Sequence, residues 1–391
     1  MSSTAPAPTA VKENFNIKSL SRVTTAIANL VRANKFIKEF KLDEGSIIFY
    51  DSPKGYQSYE DHKALTREEV IDFMEIAANG KYDPAKRLHE HGHYDESVDC
   101  HDRRLRCNFF RQQGKISASI RCLPKEPPAY DSLGASENLK RMVERSSGGL
   151  VLITGQIGQG KSTTIASLIE HLNVERGGHI LTLEDPIEYI FTPKKARISQ
   201  RSVGPYGDVK SFHEGLLAAK RQNATVLLIG ELRDAETVKI ALQAAEAGAL
   251  VFASTHSQSI QDTVDTLLSY FTAEERPHIL KSLARTLNAI SCQQLLPTKH
   301  EDAFVLAYEY LAQSPALKKA LSDGAYNNAN MALEVGRQMQ TEGTQDGTMR
   351  LNTCLHNLVK HDIITVRTAM LRSYDKEQLA QRIGPAADHY L

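Results

Sequence analysis

Cysteine is scarce and unpatterned in this chain: Cys100, Cys107, Cys122, Cys292 and Cys354 are odd in number, scattered, and form no C-x-x-C pair. That spacing argues for a reducing compartment and against a disulfide frame or a cysteine zinc site. An excess of charge of either sign is also missing, since 47 basic side chains balance 47 acidic ones. No global field therefore recruits nucleic acid or membrane. No aromatic-interleaved basic stripe, winged-helix pattern or zinc pattern is present, which counts against a nucleic-acid translocase or a DNA-binding regulator. No apolar run approaches bilayer-spanning length, and the N-terminus has no signal-peptide core. The simplest expectation is a cytoplasmic protein, with 391 residues giving room for two domains.

What is present centres on Gly155 to Thr163, GQIGQGKST, directly after the apolar run LVLIT at Leu150 to Thr154. Gly155, Gly160, Lys161 and Ser162 occupy the four diagnostic positions of a P-loop, with Gly158 inside it. A phosphate chain needs backbone N–H groups aimed at it from a tight turn, and glycine permits that turn because it has no Cβ. The helix that follows adds its positive end. Lys161 brings a mobile charge to the phosphates, Ser162 a hydroxyl for magnesium, and Thr163 opens the amphipathic helix. Nucleotide binding is the expectation, with ATP and Mg2+ as cofactors. No NKxD-type base-reading motif follows, which disfavours a GTPase.

Upstream, Met1 to Asn14 has the composition of a disordered tail. Apolar spacing predicts a helix within Ile17 to Phe40, a short strand at Ile47 to Tyr50, and a helix over Thr66 to Asn79 that opens on a capping box, Thr66 with Glu69. HEHGHYD places His89, His91 and His93 at alternate positions, which a strand would bring to one face as in some metal sites; Gly92 interrupts the run and no carboxylate or cysteine spacing completes a site, so a solvated loop is the expectation and metal binding the alternative. Asp99 to Leu123 alternates like a hairpin rich in arginine: Arg103, Arg104, Arg106, Arg111 and Arg121. Pro124, Pro127 and Pro128 then mark a semi-rigid linker.

Beyond the linker the pattern becomes strand, loop, helix, repeated. Strands are expected at Leu150 to Thr154, His179 to Leu183, Thr225 to Ile229 and Leu250 to Ser254, and helices at Ala135 to Arg145, Ser162 to Asn173, Phe212 to Ala219 and Ala235 to Ala247. The class is α/β: a parallel sheet with helices on both faces and ligands at the carboxyl ends of its strands. Those ends carry Glu184, Asp185 and Glu188; Glu231, Arg233 and Asp234; and Thr255 and His256. Phosphoryl transfer needs an acid for magnesium, a group that orients water, and cations for developing charge. Glu231 suits the first role, together with Ser162 and Glu184, and Glu188 suits the second. His256 is a candidate sensor of the γ-phosphate.

These motifs resemble the type II/type IV secretion ATPase superfamily, the PilT-like hexameric motors. LVLITGQIGQGKSTT resembles its Walker A, HILTLEDPIEYIF its aspartate box, VLLIGELRDAETVKIALQAAEAGALVFAST its Walker B region, and THSQSIQDTVDTL its histidine box. RLRCNFFRQQGKISASIRCLP is similar to the end of the family's PAS-like N-terminal domain. The resemblance implies a PAS-like α+β domain at 15–123, a linker at 124–134, a RecA-like P-loop NTPase domain at 135–312 and a helical C-terminal extension at 313–391. It implies ATP hydrolysis with Glu231 as the Walker B carboxylate, Glu188 as the catalytic carboxylate and Arg104, Arg106 and Arg121 as arginine sensors. It also implies a homo-hexamer working with inner-membrane secretion or conjugation components.

Departures accompany the match. RQNAT at Arg221 to Thr225 lacks the usual acidic loop, RSVGPYGDVKSF is longer than usual, and no four-cysteine element follows Walker B. SPALKKALSDG stands where retraction motors carry an AIRNLIRE-type segment. The histidine box and the tail GRQMQTEGTQDGTMRLNTCLHNLVKHDIIT look closer to the DotB and TraJ group of type IVB secretion and IncI-type conjugation. The expected function is a motor for such a machine, with pilus retraction as the alternative.

Overall fold

The computed structural model describes residues 21–34, 36–204, 207–322 and 348–390. The expected tail at Met1 to Asn14 and the stretch Gly336 to Gly347 lie outside them. The chain divides into two compact units: residues up to 126 with 188–190 and 300–304, and the remainder.

The smaller unit is an antiparallel sheet of β1 (Glu39–Asp43), β2 (Phe49–Ser52), β3 (Gly55–Ser58), β4 (His93–Cys100), β5 (Arg103–Gln112) and β6 (Lys115–Pro124), ordered β3-β2-β1-β6-β5-β4. Helices Arg22–Ala33 and Arg67–Ala78 bury Val23, Ile27, Val70, Phe73 and Met74 with Phe40, Leu105, Phe109 and Ile120. Strand alternation therefore sends Arg104 and Arg106 to the opposite face from buried Leu105 and Cys107.

The helix expected within Ile17 to Phe40 is Arg22–Ala33 among the described residues, which begin at Ser21: Asn34 takes extended backbone at φ −136° and ends it, and Phe40 and Leu42 alternate inward on β1. The histidine stretch is neither the loop nor the strand expected. His89 and His91 are helical, since Asp83 caps and Pro84 opens helix Pro84–His91, which Gly92 closes at φ +76°. His93 begins β4, so the three rings share no strand face. Among the described residues no cluster of three or more His, Cys, Asp and Glu side chains is placed to hold a metal ion.

The larger unit contains β7 (Gly149–Thr154), β8 (Gly178–Glu184), β9 (Ala196–Ser202), β10 (Val226–Ile229), β11 (Leu250–Thr255), β12 (Leu287–Pro297) and β13 (Phe304–Ala312), ordered β13-β12-β7-β11-β10-β8-β9. Each neighbouring pair from β12 to β9 is parallel. The four expected strands are present; β9, β12 and β13 are additions. Helices Lys161–Glu175, Phe212–Lys220 and Ala235–Glu246 connect the parallel strands. The registers Thr154↔Thr255, Ile229↔Ala253 and Ile229↔Leu183 bring the ends of β7, β11, β10 and β8 to one edge. After β13 the described chain is helical: Pro315–Ser322, Leu351–Lys360, Val366–Arg372 and Lys376–Ile383. Leu296 of β12 packs with Leu351, Leu355, Met370 and Leu379 of these helices.

Helix Arg67–Ala78 opens on the expected reciprocal cap: Glu69 N donates to Thr66 Oγ1 at 3.3 Å and Thr66 N to Glu69 Oε2 at 2.9 Å. Arg22 adds a bidentate clasp, Nε to Glu69 Oε1 at 2.7 Å and Nη2 to Oε2 at 2.9 Å. The Arg22 hydrogen bonds hold the Glu69 carboxyl below the usual carboxylate range. Its stabilisation is therefore present above that range and is lost as pH falls through the lowered value. Glu69→Gln should destabilise the smaller unit by about 1–2 kcal/mol at neutral pH. In urea titrations that difference should shrink as pH falls below the usual carboxylate range, where wild-type Glu69 is itself becoming neutral; a difference constant across pH would contradict the assignment.

Candidate functional site

The loop after β7 leaves the sheet through three glycines at positive φ: Gly155 at +140°, Gly158 at +77° and Gly160 at +78°. Each has a different reason. A Cβ on Gly155 would lie 2.5 Å from the Gln293 carbonyl oxygen of β12, so the loop can start there only without a side chain. At Gly158 nothing lies within 4 Å of a Cβ, so its constraint is the left-handed turn alone. Gly160 is the N-cap of helix Lys161–Glu175 and gives it no side-chain cap bond, whereas Ser211, Asp234 and Ser259 cap the helices that follow them. This helix start offers its amides to an outside acceptor, the arrangement a phosphate chain requires.

β12 anchors the loop from the other side. Gln293 Nε2 donates to the Gln159 carbonyl at 2.8 Å, and Leu295 N donates to Gln159 Oε1 at 2.6 Å. Neither residue was singled out from sequence, because the mixed run LNAISCQQLLP carries no strand alternation that would have announced it.

Lys161 is buried, and its ammonium donates to the carbonyls of Gly155 at 2.6 Å and Gln156 at 3.0 Å. It also lies 3.0 Å from His256 Nδ1. An ammonium has donors only, so Nδ1 must accept and the His256 proton sits on Nε2. That Nε2 faces Glu231 Oε1 at 3.1 Å, where it donates to the carboxylate. Glu231 Oε2 accepts from Arg233 Nε at 2.7 Å, and Arg233 Nη1 lies 3.5 Å from Asp185 Oδ2. Burial works against the Arg233 charge, but its bond to Glu231 and the two carboxylates outweigh that and raise its pKa. Side chains from β7, β8, β10 and β11 are thus joined in one line of alternating polarity. The turn that carries Glu231 is tied down by Gly230 N donating to the Leu183 carbonyl at 2.9 Å and Leu232 N to that of Ser254 at 2.9 Å.

Ser162 is exposed on the first turn of its helix, and Thr163 is half-buried beside it. Glu184 is buried at the end of β8, with Gln200 Nε2 of β9 at 3.4 Å from Oε1. Glu188, Arg104, Arg106 and Arg121 belong to the smaller unit. Arg106 stands opposite Arg121 across β5 and β6, and Arg104 lies two positions along, so the three share one face. Arg106 Nη1 meets Glu188 Oε1 at 3.3 Å, Arg104 Nη1 meets Asp99 Oδ1 at 3.0 Å, and Arg121 is exposed.

The donor set fits a nucleotide phosphate chain and a hard cation. An uncapped helix start, a glycine turn and an ammonium face the first; a hydroxyl and carboxylates suit the second.

Comparison with protein families matches residues 21–380 to the type II/IV secretion system protein family. Over 266 residues the chain is 35% identical to the type IV pilus retraction ATPase PilT of Pseudomonas aeruginosa, spanning 68% of this chain and 74% of that protein. Among solved structures, the pilus retraction motor PilT with bound ADP superposes with a TM-score of 0.74 at 33% identity, covering 91% of this chain and 99% of that one. The ATPase DotB of Legionella pneumophila superposes with a TM-score of 0.76 at 22% identity, covering 90% and 97%, a likeness of fold alone.

The glycines give a graded expectation. Gly158→Ala should cost about 1–2 kcal/mol, the left-handed penalty alone. Gly155→Ala adds a backbone clash and should cost clearly more, about 3 kcal/mol or above. Thermal unfolding of the two variants checks this; equal losses would contradict it.

Proposed function

The chain belongs to the type II/IV secretion system protein family, and from that premise we propose that it is a PilT-like motor that hydrolyses ATP at the loop after β7. The observation that carries this reading is the unbroken side-chain line Lys161–His256–Glu231–Arg233, which joins the glycine loop after β7 to an acid after β10, with β11 between them in the sheet.

Amides from Gly158 to Thr163 would cradle the phosphates, with Lys161 moving from its carbonyl partners onto them. Ser162 and Glu231, with Glu184 behind, would hold the magnesium ion, which withdraws charge from the phosphoryl oxygens when bound. Glu188 would take a proton from water as the water oxygen bonds to the γ-phosphorus and the bond to the bridging oxygen breaks, releasing ADP and phosphate. A Lys161 drawn to phosphate leaves His256 Nδ1, so His256 would register the γ-phosphate and pass that to Glu231. Arg106 already pairs with Glu188, and with Arg104 and Arg121 it is proposed to meet phosphate charge. The smaller unit would serve as a PAS-like partner to a RecA-like domain, the C-terminal helices as an extension of it, and six copies as the working assembly. Nucleotide-driven rotation of one unit against the other would supply the stroke.

Such a motor would work in the cytoplasm at an inner-membrane secretion or pilus machine. The identity to a pilus retraction ATPase supports retraction over type IVB secretion or conjugation, because the DotB likeness bears on fold alone. Among the described residues no helix is long and apolar enough to cross a membrane.

Lys161→Ala and Glu231→Ala should each lower ATP turnover at least about a hundredfold, and native mass measurement of the wild type should show a hexamer. A fully active monomer would sink the reading. In a pilus-bearing host, deletion of the gene should leave hyper-extended pili that do not retract. Normal pili with blocked secretion would instead support the type IVB alternative, and turnover stimulated by DNA in a salt-sensitive way would support a translocase.

A further inference from the structure

His256 begins a short segment, His256 to Ser259, that links β11 to helix Ile260–Ser269. The segment is held from several directions. Ser257 Oγ lies 2.7 Å from Thr263 Oγ1, which donates to Thr154 Oγ1 at the end of β7 at 3.2 Å. Cys292 Sγ of β12 donates to the Gln258 carbonyl at 3.2 Å. These contacts come from the sheet and from the helix that the segment feeds.

Two further contacts come from later in the chain. The Tyr374 hydroxyl, between helices Val366–Arg372 and Lys376–Ile383, donates to the same Gln258 carbonyl. Gln294 Nε2 of β12 holds that hydroxyl at 2.8 Å. Where the segment enters its helix, Glu309 of β13 accepts the Ile260 amide on Oε2 at 3.1 Å, and its carboxyl also accepts the Leu351 amide.

Glu309 therefore sits at two helix starts at once. Helix Leu351–Lys360 has no side-chain cap of its own, because Arg350 occupies its N-cap and makes no such bond. One carboxylate serves as a shared acceptor for a helix that follows the His256 segment and a helix of the C-terminal region, where both positive helix ends favour it. Burial alone would push this carboxyl up, and its pKa is raised. The two amides and the Arg350 charge pull the other way.

We propose that Tyr374 and Glu309 are positioning residues for His256: they hold the side of its segment that leads into helix Ile260–Ser269, two and four residues from His256, so that the seating of the C-terminal helices sets the Lys161–His256–Glu231 line. The chemical consequence rests on the ATPase reading above; the mechanical coupling does not. A C-terminal partner, or a neighbouring copy that displaces these helices, would then change turnover without touching nucleotide.

The full-length protein tests both parts. Tyr374→Phe removes one hydroxyl from a half-exposed ring. It should raise amide exchange across residues 256–260 about tenfold, and Glu309→Gln should raise exchange at Ile260 and Leu351 together. Unchanged exchange in both variants would overturn the coupling, whatever the enzyme does. In turnover assays Tyr374→Phe should lower kcat about tenfold with KM for ATP within about twofold, and the same change placed on His256→Ala should cost nothing further. Equal losses with and without His256 would overturn the positioning role in favour of a merely structural one. A wild type with no turnover would fail the ATPase reading, and the exchange result would still decide the coupling.

Discussion

A lysine ammonium can only donate, and a buried one must find acceptors for what it offers. Lys161 meets that demand with two carbonyls of its own loop and the Nδ1 of His256. The third bond assigns the imidazole its tautomer, which turns Nε2 into a donor toward Glu231. Glu231 is then left with one oxygen for Arg233. A single constraint at Lys161 thus propagates through three side chains that follow the ends of two adjacent strands, β11 and β10. A ligand that offers Lys161 a better acceptor alters every bond along the line.

That line exists because the parallel registers bring the ends of four strands to one edge. The sheet also dictates the loop. β12 runs beside β7 closely enough that Gly155 admits no Cβ, and Gln293 and Leu295 grip Gln159 at the far side of the turn. The loop is held by a neighbouring strand as well as by its own glycines, so its amides keep one orientation at low conformational cost.

The glycine loop after β7 and the placing of Glu231 and His256 at strand ends were legible in the sequence because each residue type answers a local demand: glycine where φ is positive, polar groups where an apolar strand stops. The capping box at Thr66 and Glu69 was legible for the same reason. What was missed depends on distant partners. β9 is polar because it closes the sheet edge, and β12 carries Gln293 and Gln294 in a run whose burial comes from β7. The histidines at 89 and 91 follow a helix started by Asp83 and Pro84, a cap that the alternation of the ring positions concealed. Glu309 gives no sign of its role, since the two amides it accepts lie 49 and 42 residues away along the chain.

The account turns on the direction of the hydrogen bonds at His256. Nitrogen NMR of the full-length protein with labelled histidine, assigned by comparison with His256→Ala, measures which ring nitrogen carries the proton. The account predicts the proton on Nε2 and a lone pair on Nδ1, with the Nε2 signal shifting in Glu231→Gln. A proton on Nδ1, or a signal indifferent to Glu231, would contradict it.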